Sequence, residues 1–233
     1  LPIIIYLSFK FSIFFSFFCF SFFIIGLLSD LKLTNSPKLR LFLQFFLAII
    51  FLIFSREIVI DTRIDFLNGL MNNQIFRVLI TSFFIVVLIN GFNFIDGVNN
   101  LCSLNFLLIV IFLYLTIIDL KIMNSEISMD ILIITLLVFV IFNFFGKSFL
   151  GDGGVYGFSF FLAIVIINLT VLTDKISPYF IANLLWYPAF ENLFCIFRRT
   201  VYNKKNYEAD NEHLHQLLFK YLNSKKILKK KYL

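Results

Sequence analysis

The sequence predicts an all-α protein, a polytopic transmembrane helix bundle, and two observations carry that prediction. Sixty per cent of its 233 residues are hydrophobic and 15% are charged, whereas soluble domains are about half apolar and about a quarter charged. Apolar runs of about 18 residues, the length that crosses a bilayer as a helix, recur along the whole chain. Helices suit this setting because they satisfy their own backbone hydrogen bonds where lipid offers none.

Seven segments are predicted to span the membrane, and each is apolar over most of its length. Ser36 and Pro37 are an N-cap and a first-turn residue for the second segment. Pro188 should bend the seventh, because proline lacks the N–H that the helix needs and its ring clashes with the preceding turn. Residues 1–197 are thus the predicted transmembrane domain and residues 198–233 a tail. The predicted spans are 3–28, 38–55, 75–92, 101–119, 129–146, 154–172 and 178–197.

The connections between the spans alternate between the two sides of the membrane. One side holds the connections 29–37, 93–100 and 147–153 together with the tail. That side carries 14 Lys and Arg residues, and the opposite side carries 5. The positive-inside rule therefore predicts that the side with the tail is cytoplasmic.

The tail supplies most of the net charge of +6. A basic tail beside a membrane domain indicates contact with anionic lipid headgroups and not with nucleic acid. Apolar residues at helical spacing over 214–222 predict an amphipathic helix at the interface. His213 and His215 are two positions apart and would point to opposite sides of a helix, which argues against a zinc site.

The stretch Asn90–Asn100 is a polar turn between two predicted spans, and it contains Asn90, Asn93 and Asp96. Polar side chains at a membrane boundary are costly unless they meet water or a polar ligand. Two interpretations stay open from the residues alone. The turn either caps the flanking helices, where Asn, Asp and Gly are ordinary, or binds a ligand.

Further acidic residues stand near the ends of predicted spans or inside one. Asp152 stands between two glycines, so that a hard cation such as Mg²⁺ can approach its carboxylate without hindrance; a flexible turn is the alternative. Asp30 has the default interpretation of a solvated loop residue. Glu191 lies well inside the seventh span, where a carboxylate needs a partner. Arg198, seven residues on along the same helical face, is the predicted partner in a salt bridge.

Four motifs in the right order, all on the predicted cytoplasmic side, resemble those of a known family. Asn90–Leu101 resembles its stretch N-A-x-N-x-x-D-G-x-D-G-L, and Phe149–Asp152 its F-x-G-D motif. Gly26–Asp30 resembles its turn with paired aspartates, and Asp210–His215 its histidine motif. The family is that of the polyprenyl-phosphate N-acetylhexosamine-1-phosphate transferases, the MraY- and WecA-like glycosyl transferase family 4. The resemblance extends over nearly the whole chain.

The resemblance implies a reaction and a set of site residues. A sugar-1-phosphate would pass from a UDP-sugar, a UDP-N-acetylhexosamine in the simplest case, to polyprenyl (undecaprenyl) phosphate. Mg²⁺, or alternatively Mn²⁺, would be the cofactor, with Asp152 as its ligand. The residues implied to be catalytic are Asp30, Asp96, Asp152, His213 and His215. The residues implied to bind substrate are Asn90, Asn93, Asp96, Phe149, Arg198 and Arg199.

Within that set the resemblance implies different binding roles for different residues. The uracil end of the UDP-sugar would be held by Asn93, Asp96 and Phe149, and Asp30 would lie near the lipid phosphate. The diphosphate would be contacted by the two histidines of the tail, helped by Arg198 or Arg199.

Two positions depart from the family pattern. Ser29 stands where the first aspartate of the pair is usual, and Asn99 where the second aspartate of the central motif is usual. A mechanism with a carboxylate base at position 29 is thereby put in doubt. A phosphate monoester has a second pKa of about 6, so the lipid phosphate is mostly ionised near neutral pH. Such a nucleophile needs positioning and charge neutralisation more than it needs a base.

The resemblance also implies a setting: the bacterial inner membrane, an active site that faces the cytoplasm, contact with membrane lipids, and a role in starting a cell-envelope glycan such as a cell-wall polymer or O-antigen. The oligomeric state stays open, with a dimer as one option. Because Leu1 falls inside an apolar segment with no charged n-region before it, the chain is interpreted as a fragment without the family's N-terminal helices, and not as starting with a signal peptide.

Two other functions are alternatives, a secondary transporter and an inactive scaffold homologue. Transporters place ionisable groups and broken helices near the bilayer midplane, whereas most acids of this chain cluster at the ends of predicted helices on one face. The two substitutions at positions 29 and 99 and the missing segments favour the scaffold.

Overall fold

The computed structural model describes residues 13–34, 36–59, 61–97, 100–120, 129–201 and 214–224. Within these ranges every regular element is an α-helix, and the helices are numbered α1 to α10 in chain order. The all-α prediction is therefore confirmed for the described part of the chain. The bounds are α1 Ile13–Asp30, α2 Pro37–Ser55, α3 Asp65–Met71, α4 Gln74–Ile95, α5 Leu101–Asp119, α6 Met129–Phe144, α7 Gly151–Leu172, α8 Pro178–Leu184, α9 Trp186–Val201 and α10 Leu214–Ser224.

Among the described helices, α1, α2, α4, α5 and α7 are each long and apolar enough to cross a membrane. Together α8 and α9 are long enough for one broken span, and they are bent by 73°. The bend follows from Pro188, which has no N–H to donate to the carbonyl of Leu184, where α8 ends. A polytopic bundle and a bend near Pro188 are thus confirmed. The apolar helix α6 has only 16 residues, and the number of seven spans stays a prediction.

The innermost helix is α7, which is buried along most of its length and packs most extensively against α1. Small residues allow the close approach. Gly157 lies against Phe23 and the carbonyl of Cys19, and a Cβ at Gly26 would lie 2.2 Å from the carbonyl oxygen of Asp152. Because that neighbour is backbone, a larger residue at position 26 would push the helices apart. The C-terminal end of α1 is therefore held directly against the first turn of α7.

The second central helix is α4, which contacts α2, α7 and α9. At the point where α9 crosses it, a Cβ on Gly91 would lie 2.2 Å from the carbonyl oxygen of Pro188. One turn away, the side chain of Asn192 donates a hydrogen bond of 2.9 Å to the carbonyl of Val87. These two contacts fix the start of α9 on α4.

One short helix was not predicted from the sequence. The connection 56–74 contains α3, and hydrogen bonds join this helix to the polar residues just before it. Asn68 Oδ1 accepts hydrogen bonds from the backbone N–H of Thr62 at 3.0 Å and from its hydroxyl at 2.8 Å. Asn68 Nδ2 donates to Asp61 Oδ1 at 2.6 Å. A helix of seven residues is too short to show a helical period in hydrophobicity, so the sequence pattern did not predict it.

One predicted helix start and one predicted helix are found in the structure. Ser36 Oγ accepts a hydrogen bond of 3.4 Å from the backbone N–H of Leu39, with Pro37 in the first turn of α2. The amphipathic segment predicted after His213 is helical from Leu214 to Ser224.

Candidate active site

Polar side chains from four helices meet at one end of the bundle. They come from the C-terminal ends of α1 and α4, the first turn of α2 and the N-terminal end of α7. Their mutual hydrogen bonds, given in the following paragraphs, define a group that we call the Asp152 cluster. Its members are Ser29, Asp30, Arg40, Asn93 and Asp152.

The carboxylate of Asp152 accepts hydrogen bonds on both of its oxygens. Asn93 Nδ2 donates to Oδ1 at 2.6 Å. Ser29 Oγ donates to Oδ2 at 2.6 Å, and Arg40 Nη1 donates to the same oxygen at 2.9 Å. Arg40 Nη1 also donates to Ser29 Oγ. Asp152 and Arg40 are only about a quarter exposed, at 26% and 23% of their side chains, so their ion pair is less screened than one on an open surface.

Asp30 fixes the backbone on which Asp152 stands. Its Oδ1 accepts from the backbone N–H of Asp152 at 2.9 Å, and its Oδ2 accepts from the N–H of Gly153 at 3.0 Å. The first N–H groups of a helix have no partner within the helix, and its positive end favours a negative charge. Gly151 begins α7 with φ +64, and a Cβ there would lie 2.8 Å from Asp30 Oδ2. The glycine before Asp152 is therefore required by both backbone angle and space.

Asp96 follows the last turn of α4, beside the Asp152 cluster. Burial, and then the negative charges of Asp152 and Asp30, raise the pKa of Asp96 to about 7. The cluster contains two carboxylates and one guanidinium, so it has excess negative charge next to Asp96. A cation, or a hydrogen-bond donor from a ligand, would lower that pKa again.

Two residues of this region were missed in the sequence. Arg40 contacts both Ser29 and Asp152, and the buried Gln44, one helical turn later, accepts a hydrogen bond of 2.7 Å from Asn90 Nδ2. Their spacing of four residues puts both on one face of α2. A basic residue and a glutamine on one face of an apolar segment were the available signal, since polar groups in a span need polar partners.

The remaining predicted site residues lie in different surroundings. Asn90 is tied inside the bundle, because its Nδ2 also donates to the carbonyl of Val86 at 2.9 Å. Phe149 is 70% exposed. Arg198 is buried, with its guanidinium 5.6 Å from the centroid of the Phe194 ring.

Several predictions concern residues of which the structure describes little or nothing. Arg199 belongs to the helix α9 and His215 to α10, and nothing is described of their side chains. His213 and Asn99 lie outside the described residues. The roles implied for all these residues stay predictions.

The fold and the cluster together define a class, a polytopic α-helical membrane protein with a polar, carboxylate-rich site at one end of its bundle. The model of one protein family, described as glycosyl transferase family 4, matches residues 12–170. This chain belongs to glycosyl transferase family 4, and the resemblance drawn from its motifs is confirmed. It is a phospho-sugar transferase that acts on polyprenyl phosphate. The matched region contains the whole Asp152 cluster. No curated protein matches the chain.

Proposed function

We propose that this transferase takes its sugar-1-phosphate from a UDP-sugar, in the simplest case a UDP-N-acetylhexosamine, and so starts a bacterial cell-envelope glycan. An oxygen of polyprenyl phosphate attacks the sugar-bearing phosphorus. The bond from that phosphorus to the bridging oxygen breaks, and UMP leaves with this oxygen. The products are UMP and a polyprenyl-diphosphate sugar. The observation that carries the proposal is that Ser29, Arg40 and Asn93, which come from three separate helices, all donate hydrogen bonds to Asp152.

The Asp152 cluster suits a reaction between two anions. Arg40 contributes a positive charge that can face a substrate phosphate, and its contact with Ser29 and Asp152 holds the guanidinium in place. Asn93, linked to Asp152, brings in α4 and with it Asp96. Positioning and charge neutralisation are what phosphoryl transfer chiefly asks of a protein. Because the lipid phosphate is mostly ionised near neutral pH, no residue of the cluster is required as a base.

The cluster fits Mg²⁺ in the chemistry of its donors. Mg²⁺ prefers oxygen ligands and is commonly held by one or two carboxylates together with substrate phosphates and water. Among the described residues, no three Asp, Glu, His or Cys side chains converge on one point. A substrate would therefore complete the coordination. Asp152 would hold the ion, which would offset the charge that builds up between the two phosphates. The raised pKa of Asp96 reflects first its burial and then the same excess of negative charge.

The setting belongs to the same proposal. The end of the bundle with the Asp152 cluster would face the cytoplasm, where UDP-sugars are made, in the bacterial inner membrane. A transporter is disfavoured, because the cluster lies at the ends of α1, α4 and α7 and not midway along them.

The test is an exchange reaction. The purified chain in nanodiscs should move labelled UMP into unlabelled UDP-sugar, and only when both polyprenyl phosphate and Mg²⁺ are present. A transporter or an inactive scaffold has no route to that label transfer. Exchange that proceeds without polyprenyl phosphate, or a complete lack of exchange over a panel of UDP-sugars, would contradict the proposal.

Nucleotide affinity should depend on pH through Asp96. With a pKa of about 7, its carboxylate is mostly protonated at about pH 6 and mostly ionised at about pH 8. If the ionised carboxylate accepts a hydrogen bond from the uracil ring, UMP should bind the wild type about tenfold more tightly at the higher pH. Asp96→Asn should lack this gain. Calorimetry of both proteins in the same buffers removes the contribution of the UMP phosphate, and equal pH dependence in the two would exclude this role for Asp96.

A further inference from the structure

A second polar pocket, of about 330 Å³, lies at the end of the bundle opposite the Asp152 cluster. Three helices of the cluster reach it with their other ends. Arg56 follows the last residue of α2, Arg77 stands in the first turn of α4, and Val171 stands in the last turn of α7. We call it the Arg56–Arg77 pocket, and it is lined by Arg56, Ile58, Asn72, Gln74, Arg77 and Val171.

The lengths of these helices place the pocket at the second boundary of the membrane. The helices α2, α4 and α7 have 19, 22 and 22 residues, which correspond to about 28–33 Å at the rise of an α-helix. The hydrocarbon core of a bilayer is about 30 Å thick. With the Asp152 cluster at one boundary, the Arg56–Arg77 pocket therefore lies near the headgroups of the opposite leaflet.

The positive charge of the pocket is not offset by the protein. Among the described residues, no carboxylate forms an ion pair with Arg56 or with Arg77. Glu57, the acid next to Arg56 in the chain, is half-buried and interacts with the side chain of Asn168. Two guanidinium groups that line one pocket repel each other, and an anion between them would remove that repulsion.

One of the two guanidinium groups is held in a fixed position. The Nε of Arg77 donates a hydrogen bond of 2.9 Å to the carbonyl of Met71. Its two terminal NH₂ groups make no hydrogen bond to any described residue, so they are available to a ligand. A guanidinium binds a phosphate group through parallel hydrogen bonds, and the amides of Asn72 and Gln74 can donate as well. The volume is within the range of small-ligand pockets, about 300–1,000 Å³.

Apolar surface beside the pocket favours a lipid over a soluble anion. Phe54, Ile75 and Leu172 each stand within two residues of a lining residue in sequence, and their side chains are largely exposed. A headgroup in the pocket would leave its acyl chains next to such side chains. Basic pockets between transmembrane helices bind the headgroups of anionic lipids in this way.

We propose that the Arg56–Arg77 pocket binds the phosphate group of an anionic phospholipid of the leaflet opposite the Asp152 cluster. Arg56 and Arg77 supply the positive charge, and Asn72 and Gln74 supply further hydrogen-bond donors. The lipid is a structural ligand and not a substrate, and the inference does not depend on the reaction at the Asp152 cluster.

The test is amide hydrogen exchange on the full chain in two kinds of nanodisc. One contains phosphatidylcholine alone, and the other contains phosphatidylcholine mixed with phosphatidylglycerol. The first N–H groups of α4 have no partner within the helix, so exchange there reports directly on the pocket. A lipid at about ten times its dissociation constant should slow exchange at the start of α4 about tenfold in the mixed nanodiscs. Equal exchange in the two nanodiscs would overturn the proposal.

The variants show whether the arginines carry the effect. Arg56→Gln should lose most of the slowing by phosphatidylglycerol, and since the side chain of Arg56 has no hydrogen bond to the described residues, the fold should be undisturbed. Arg77→Gln should lose it as well. Arg63→Gln is the matched control, because Arg63 lies in the same connection but outside the lining and contacts the carbonyl of Asp174 at 3.5 Å; it should keep the full slowing. Comparing the two nanodiscs for each variant separates lipid binding from any local loss of stability.

Two further results would contradict the assignment. Full slowing in both Arg56→Gln and Arg77→Gln would mean that phosphatidylglycerol acts elsewhere on the chain. Inorganic phosphate, added to nanodiscs of phosphatidylcholine alone, should have little effect on the start of α4. If it slows exchange there as much as phosphatidylglycerol does, the pocket takes a soluble phosphate and the lipid is excluded as its specific ligand.

Discussion

Asp152→Asn is expected to abolish UMP exchange, with a loss of about a thousandfold or more at every Mg²⁺ concentration that can be reached. The substitution is nearly isosteric, but an amide can accept hydrogen bonds on one side only. Its NH₂ group would face either the Asn93 amide or the Arg40 guanidinium, both of which are donors in the present network. The negative charge that pairs with Arg40 and that would hold the cation is lost as well.

Asp61→Asn is the matched control for that variant. It makes the same chemical change in an exposed carboxylate of the connection 56–74, away from the Asp152 cluster, and it should keep wild-type activity. Both variants should be inserted and should purify as the wild type does, which size-exclusion chromatography checks. Near-normal turnover of Asp152→Asn would remove Asp152 from the site.

The second large effect is expected at Asp30, in a graded series with Ser29. Asp30 accepts hydrogen bonds from two backbone N–H groups at the start of α7, and an asparagine in its place can accept only one of them while losing the charge. Asp30→Asn should lower kcat about tenfold or more, and Asp30→Ala should lower it further, because an unpaired helix start costs about 1 kcal/mol and lets Asp152 move. Ser29→Ala should keep most of the activity.

A pH profile in saturating UDP-sugar sharpens the comparison. If the lipid phosphate attacks already ionised, the acid limb of kcat should lie near the second pKa of a phosphate monoester, about 6, in the wild type and in Ser29→Ala alike. Saturation keeps the pH dependence of nucleotide binding out of kcat. An inactive Ser29→Ala variant, or an acid limb displaced by more than about one pH unit, would mean that Ser29 takes part in proton transfer or metal binding.

Much of the candidate site was predictable because its members are marked by local sequence. Asp30, Asn93 and Asp152 each stand at the end of an apolar segment, and the alternation of spans puts those ends on one side of the membrane. That argument needs only helix length and the cost of polar groups in lipid. It correctly predicted that the three residues share one end of the bundle, and it left their contacts open.

The partners of those residues were not predictable in the same way. Arg40 and Gln44 lie in an apolar span whose pattern says nothing about which helix they face. The same holds for one partner of Glu191, whose Oε1 accepts a hydrogen bond from the backbone N–H of Leu214, because no sequence pattern marks a main-chain N–H as a partner. The salt bridge between Glu191 and Arg198 stays a prediction.

The sequence by itself determined the all-α class, the main apolar spans, the bend near Pro188 and the family, because each depends on composition, on the order of short motifs or on the chemistry of one residue with its chain neighbours. Only the tertiary structure decided that Arg40 pairs with Asp152, that Asp30 holds the start of α7, and that Glu191 accepts a hydrogen bond from the backbone of Leu214. These contacts join residues 112, 122 and 23 positions apart. They form only where close packing at Gly26 and Gly91 brings separate helices together, so they depend on the distances between helices and not on the sequence around either partner.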